Sequence, residues 1–360
     1  MSASPSPSHD RGSENPIGHL GHLILDGDTT IDSSTLRKWS TLTDFSGLQS
    51  LGICAFGDYT TPIQFLQQMV REGQLPSLTS LSLFLSGSSR EGSCRLDETT
   101  SDLLLALQPL TSLDLLGEFG DGTYQAILDR HGQSLRDIRL ISCQIYFSSD
   151  RIEELQDLCP NLRSAELLIP RTQGDQNEAK IYRALGRFPR LQHLNLLLDT
   201  TFYDHPVGTD DGSDAFEAKL AQQQLINAAV DKTLALAIVR TIRQSSRLHN
   251  ATRTCPLRSL KLTKTGFSES SYELSFDLEF QLLSSWVGQN WVCETVPRDD
   301  GADEEVHIRE IQVPGRVDRE DVELAMQNEK CHKVWRELWP DRTGDYRDNW
   351  SSFPLWAGCE

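Results

Sequence analysis

The sequence predicts an α/β architecture assembled from one repeated strand–helix unit. Three observations carry this. The pattern L-x-x-L-x-L, loosely kept, starts at Leu20, Leu48, Leu78, Leu110, Leu135, Leu162 and Leu191, and again at Leu257. The seven consecutive starts lie 25 to 32 residues apart, close to the period of roughly 20–29 residues of leucine-rich repeats. Segments of helical periodicity fall between the starts, and several anchor sets follow a proline that ends a helix, at Pro76, Pro160, Pro189 and Pro256. The expected fold is a leucine-rich-repeat solenoid, a horseshoe with parallel strands on its concave side, helices outside and an aromatic-rich carboxy-terminal cap.

Side-chain alternation explains the spacing. The fourth and sixth positions of the pattern face one way in a strand, and the first Leu joins them from the preceding turn. One repeat cannot bury three such anchors alone, so stability comes from stacking neighbours. Residues 1–17 are expected to be a disordered tail, polar and rich in Pro and Ser, and residues 18–360 the repeat domain. The strands follow at Leu23/Leu25, Leu51/Ile53, Leu81/Leu83, Leu113/Leu115, Ile138/Leu140, Ala165/Leu167, Leu194/Leu196 and Leu260/Leu262, with a weaker candidate at Ile308, Ile311 and Val313.

Helices are expected after Thr61-Pro62, with Pro in the first turn, and over Asp97–Leu107, Asp121–Arg130, Ser149–Leu158 with Ser149 as N-cap, and 177–185. Residues 200–254 break the period. A polar loop opens them, and Phe216, Leu220, Ile226, Val230, Leu234, Ile238 and Ile242 then mark an amphipathic helix with a break near Asp231. The cap is expected over about 272–360. It begins with a loop and a helix through Leu278, Leu282 and Trp286. Trp291–Val296 and 305–313 follow as a hairpin, then a final helix over 318–338. Six of the seven tryptophans fall after Ser285, which suits cover for the open end of a repeat core.

Composition removes several functions. A formal net charge of −18 argues against a nucleic-acid footprint and against an anionic membrane surface, both of which need basic faces. The acidic clusters around Asp210–Asp214 and Asp299–Glu305 read as solvated loops. The eight cysteines are scattered, with no C-x-x-C pair and no His at zinc-ligand spacing. They read as the reduced thiols of an intracellular protein, cytoplasmic or nuclear. No signal peptide or membrane-spanning run is present, so Asn250-Ala-Thr reads as a chance glycosylation match. Glycine-rich phosphate loops, H-E-x-x-H and G-x-S-x-G are absent. His19 and His22, and Cys331-His332, lack further ligands. Neither a catalytic residue nor a cofactor or metal site is expected.

The phrases LCPNLRSAELLIP and ALGRFPRLQHLNLLLD, the helical INAAVDKTLALAIVRTI and the ending VWRELWPDRTGDYRDNWSSFPLW resemble fungal F-box/leucine-rich-repeat proteins. The resemblance covers roughly Leu20 to Trp356. It implies relation to the substrate-holding part of a ubiquitin-ligase receptor, whose F-box docks on a cullin adaptor. No F-box-like LPxEIL segment precedes the first repeat here. Adaptor binding by this chain is therefore not expected.

The functional expectation is a non-catalytic scaffold that binds an unidentified protein on the concave face. The alternatives are a truncated or decayed copy without its own partner, or an enzyme with an unrecognised site. Residues between the anchors point away from the core. They supply apolar tips at Phe84, Leu116, Ile141, Leu168 and Leu197, a stripe about 20 Å long at strand spacing. Asp114, Arg139, Glu166, His193 and Asn195 accompany the tips as polar candidates.

Overall fold

The computed structural model describes residues 18–27, 31–55, 60–86, 90–201, 214–249, 255–265, 278–296, 305–312, 317, 319–340 and 350–357. It is an α/β fold around an open ten-stranded, mostly parallel sheet. The strands of that sheet are β2 (His22–Gly27), β4 (Ser50–Ala55), β5 (Ser80–Leu85), β6 (Ser112–Gly117), β7 (Asp137–Ser142), β8 (Ser164–Pro170), β9 (His193–Asp199), β10 (Ser259–Thr265), β11 (Asn290–Val296) and β12 (Glu305–Ile311). They lie side by side in sequence order, parallel from β2 to β10 and antiparallel from β10 through β11 to β12. Two further strands, β1 (Gly18–His19) and β3 (Thr43–Asp44), form a small parallel pair apart from it.

The anchors align strand by strand. Leu23, Leu51, Leu81, Leu113, Ile138, Ala165, Leu194 and Leu260 are paired in one row, and Leu25, Ile53, Leu83, Leu115, Leu140, Leu167, Leu196 and Leu262 in the next. All of these are buried, as are the leading anchors from Leu48 onward, while Leu20 is half-buried. A second ladder fixes the turns. The amides of Arg163 and Ser164 both donate to the Arg136 carbonyl, and those of Gln192 and His193 to the Arg163 carbonyl. The same bond pair recurs from Gly21 through Gln49, Thr79, Thr111 and Arg136 to Gln192. Each turn thereby satisfies two backbone donors that would otherwise be stranded beside the core.

Helices close the other side of that core. The described helices are, in chain order, α1 (Ser33–Leu42), α2 (Thr60–Arg71), α3 (Arg90–Ala106), α4 (Asp121–His131), α5 (Ser149–Leu158), α6 (Gln176–Gly186), α7 (Asp214–Ala228), α8 (Lys232–His249), α9 (Leu278–Trp286), α10 (Arg319–Ala325) and α11 (Glu329–Leu338), and those that line this core are α1 to α6 and α8. Ile63, Leu66, Leu103, Leu104, Ile127, Ile152, Leu155, Ile181, Leu185 and Ile238 join the strand anchors in one continuous cluster. Close backbone approach demands glycine at several points, two of them within this layer. A Cβ at Gly117, which has φ +107°, would stand 1.8 Å from the Leu85 carbonyl oxygen, and one at Gly186 would stand 2.2 Å from that of Ile242 where α6 meets α8.

Several boundaries differ from the sequence reading. Ser148, not Ser149, caps α5, accepting the Arg151 amide through its hydroxyl. The α3 helix begins at Arg90, before Asp97, and α1 arises where no helix was expected. The long amphipathic segment does break near Asp231, as its sequence suggests: it is two helices, α7 and α8, and the Asp231 carboxylate caps the second by accepting the Leu234 amide at 2.9 Å. The final helix is likewise two, with Asn328 capping α11. The weak repeat candidate at Ile308 and Ile311 is the antiparallel edge strand β12, so the parallel run ends at β10; Val313 lies outside the described residues, as does 272–277. Trp291 sits in the main core. Trp335 and Trp339, at 4.5 Å between ring centroids, belong instead to a second cluster with Leu225, Phe280, Leu283 and Val334. There they pack the carboxy-terminal helices against one another and against α7.

Candidate interaction surface

Burial alternates along the parallel strands. In β5 every second residue is buried and the intervening Ser80, Ser82 and Phe84 are half-buried; β7 and β9 show the same alternation over most of their length. One face of the sheet therefore packs against helices and the other is open. The register sets the open face in rows. Ser80, Ser112, Asp137, Ser164, His193 and Ser259 are neighbours in the first, and Ser82, Asp114, Arg139, Glu166, Asn195 and Lys261 in the second. In the third, Phe84, Leu116 and Ile141 stand side by side, as do Leu168, Leu197 and Thr263.

The second row is a connected polar chain. The Ser82 hydroxyl donates to Asp114 at 3.0 Å. The Arg139 guanidinium lies 3.8 Å from Asp114 and donates its Nε–H to Glu166 at 3.0 Å. Burial pushes the Asp114 carboxyl above the usual carboxylate range, against the opposing pull of Arg139 and the Ser82 hydrogen bond. Its Oδ1 is buried without a partner, and so is Asn195 Oδ1. Unpaired acceptors at such depth are costly unless a donor reaches them. Two carboxylates share one guanidinium, so this row is acidic at its centre. His193, by contrast, is exposed and outside that network.

The apolar tips are less open than a bare stripe requires. Phe84, Leu116, Ile141 and Leu197 are half-buried and Leu168 is 8% exposed. Tyr146, from the loop after β7, stands close enough to Asp199 for that carboxylate to raise its phenol pKa, after burial as the larger cause. Asp199, at the end of β9, is buried, and burial raises its carboxyl above the usual range while Thr201 hydrogen bonds oppose the shift. The structure thus brings Asp114, Arg139 and Glu166 together, seats the five tips beside them in two short runs, and leaves His193 at the margin.

Two features had no sequence signal. Arg171, at the end of β8, is fully buried and ion-paired with Glu178 of α6, while its Nε–H donates to the Asn227 carbonyl at 3.2 Å. Glu178 also accepts the Thr172 and Gly174 amides and the Tyr182 hydroxyl. This pair fastens the β8–α6 loop to the end of α7. Lys264 caps the end of α9, its ammonium donating to the carbonyls of Ser284, Ser285 and Val287. Charged residues are seldom buried, so position alone marks neither as internal.

Among the described residues no group of three His, Cys, Asp or Glu side chains is placed to hold a metal ion, and no helix is long and apolar enough to cross a membrane. No protein-family model matches the chain and no curated protein matches it.

Proposed function

We propose that the chain is a leucine-rich-repeat solenoid, a single repeat domain over about 18–360, that acts as a non-catalytic scaffold and holds a protein segment on the concave face of its sheet. The observation that supports this best is the row from Ser82 to Lys261. It places ordered polar groups, two of them buried acceptors without donors, directly beside a line of apolar tips. A segment suited to it carries an apolar anchor next to a basic or amide donor, the first for Phe84, Leu116 and Ile141 and the second for Asp114 and Glu166. Such a surface gives register through charge and affinity through the anchors. Relation to the substrate-holding part of F-box ubiquitin-ligase receptors rests on the sequence resemblance and is part of the same proposal.

Affinity purification with mass spectrometry supplies the partner, and binding is then measured directly. Phe84→Ala and Ile141→Ala are each expected to weaken it by about 1 kcal/mol or more, and Glu166→Gln to slow association and reduce its salt dependence. Unchanged affinity in all three, with circular dichroism showing an intact fold, would move the site off this face. Co-purification of a cullin adaptor would add the ligase role.

A further inference from the structure

The turn side of the sheet carries a second set of residues that the concave-face reading does not use. The residue before each strand occupies an equivalent place in the ladder of turn hydrogen bonds, and at three of these places it is arginine: Arg136, Arg163 and Arg258. Arg136 and Arg163 are consecutive in the ladder, so their backbones are about 4.8 Å apart, one strand spacing. Both are exposed, as is Arg190 in the next turn. Together Arg136, Arg163 and Arg190 surround a cavity of about 250 Å³ whose remaining lining is Thr111, Gln133, Ser134 and Asn161.

The neutral groups of the cavity are already committed. Ser134 donates to the Leu110 carbonyl at 2.6 Å, Gln133 to that of Leu158 at 3.3 Å, Asn161 to that of Gln133 at 2.8 Å, and Thr111 to that of Thr79 at 3.2 Å. Arg190 is steadied by donating to Asn161 Oδ1 at 2.7 Å. The guanidiniums of Arg136 and Arg163 have no hydrogen-bond or ion-pair partner among the described residues; neither the adjoining Asp137 nor any other described carboxylate comes within 4.0 Å of the three arginines. In a chain of net charge −18, three unneutralised cations around one cavity are a local reversal of sign. Like charges this close repel unless an anion sits between them. Guanidinium forks match the oxygens of a tetrahedral phosphoryl group bidentately, and three of them suit a multiply charged anion better than a single carboxylate.

We propose that this cavity binds a phosphoryl-bearing anion, held by Arg136, Arg163 and Arg190. The phosphoryl group belongs either to a small polyphosphate or to a phosphorylated side chain of a partner. This site is separate from the open face of the sheet and does not depend on its function.

Isothermal titration of the full chain in phosphate-free buffer tests it, with inorganic pyrophosphate, a phosphoserine peptide and the same peptide unphosphorylated as probes. Pyrophosphate, the phosphopeptide or both should bind, more weakly as salt is added. The double variant Arg136→Gln/Arg163→Gln should lose about tenfold or more in affinity, while Arg309→Gln on the edge strand β12 should change nothing. Tighter binding of pyrophosphate assigns the site to a free anion, and tighter binding of the phosphopeptide over its unmodified form assigns it to a modified protein. Failure of both phosphate probes to bind would overturn the proposal. So would equal binding by the double variant, with its fold verified by circular dichroism.

Discussion

His131, in the last turn of α4, is held by both ring nitrogens. Nδ1 accepts the Leu110 amide at 3.1 Å, and Nε2 faces the Leu104 carbonyl at 3.0 Å, so the ring is neutral with its proton on Nε2. Burial lowers its pKa to about 4, from an ordinary 6.5. The unfolded chain therefore binds a proton that the folded chain refuses. The stability this site supplies is complete above about pH 6.5 and is lost as the pH falls through about 4, up to about 3 kcal/mol in all. Asp114 and Asp199, whose pKa values burial raises, act in the opposite sense on acidification. The comparison that isolates the histidine is thus wild type against His131→Gln: melting temperature should fall more steeply from pH 6.5 to 4 in the wild type. Parallel pH profiles would contradict this role. Nothing in the residues around His131 announces it, because the groups that fix it lie 21 and 27 residues away. The anchors Leu113 or Leu140 are the opposite case, since alternation alone assigns their side.

Elements were legible where their pattern repeats and obscure where they rely on a neighbour. The parallel strands follow from three apolar anchors at fixed spacing. The α1 helix, whose one buried apolar residue is Leu36, has almost no periodic signal, and Asp32 as its cap is hard to separate from a loop aspartate. Asp97 is the sharpest case. Read along the chain, it suggests a helix start. In space it lies within α3 and caps the next helix, accepting the Gly120 amide at 2.7 Å, Thr123 at 3.1 Å and Gly122 at 3.2 Å. A carboxylate at a helix N-terminus meets both the free amides and the helix dipole. Asp97→Ala should cost about 2 kcal/mol, at the upper end for a lost cap because three donors lose their partner. The midpoint of urea unfolding measures it, and a midpoint equal to that of the wild type would refute the capping role. The same non-local logic conceals Lys264 at the end of α9, since its partners come 20 to 23 residues later.

At the scale of the molecule, order in sequence is order in space across all ten strands of the main sheet. Each strand is supported by its neighbours in turn, so a charge in the middle of the row should propagate. Ile138, 4% exposed, is the central test: Ile138→Asp should destabilise by about 4 kcal/mol or more, because a buried carboxylate there meets no partner. Thermal melting that matches the wild type would place Ile138 outside the core. The face opposite that core was legible as a set of residues, because alternation names its members. The coupling of Ser82, Asp114, Arg139 and Glu166 into one chain, and the depth at which the apolar tips sit, depend on register and neighbouring loops and were not. The proposed function places a protein partner on this face. Hydrogen–deuterium exchange of the chain, free and in complex with its purified partner, tests it most directly. Exchange should slow at the strands and strand-end loops of β5 to β9, with helices α3 to α6 unchanged. Protection confined to those helices, or to the carboxy-terminal helices α9 to α11, would contradict it.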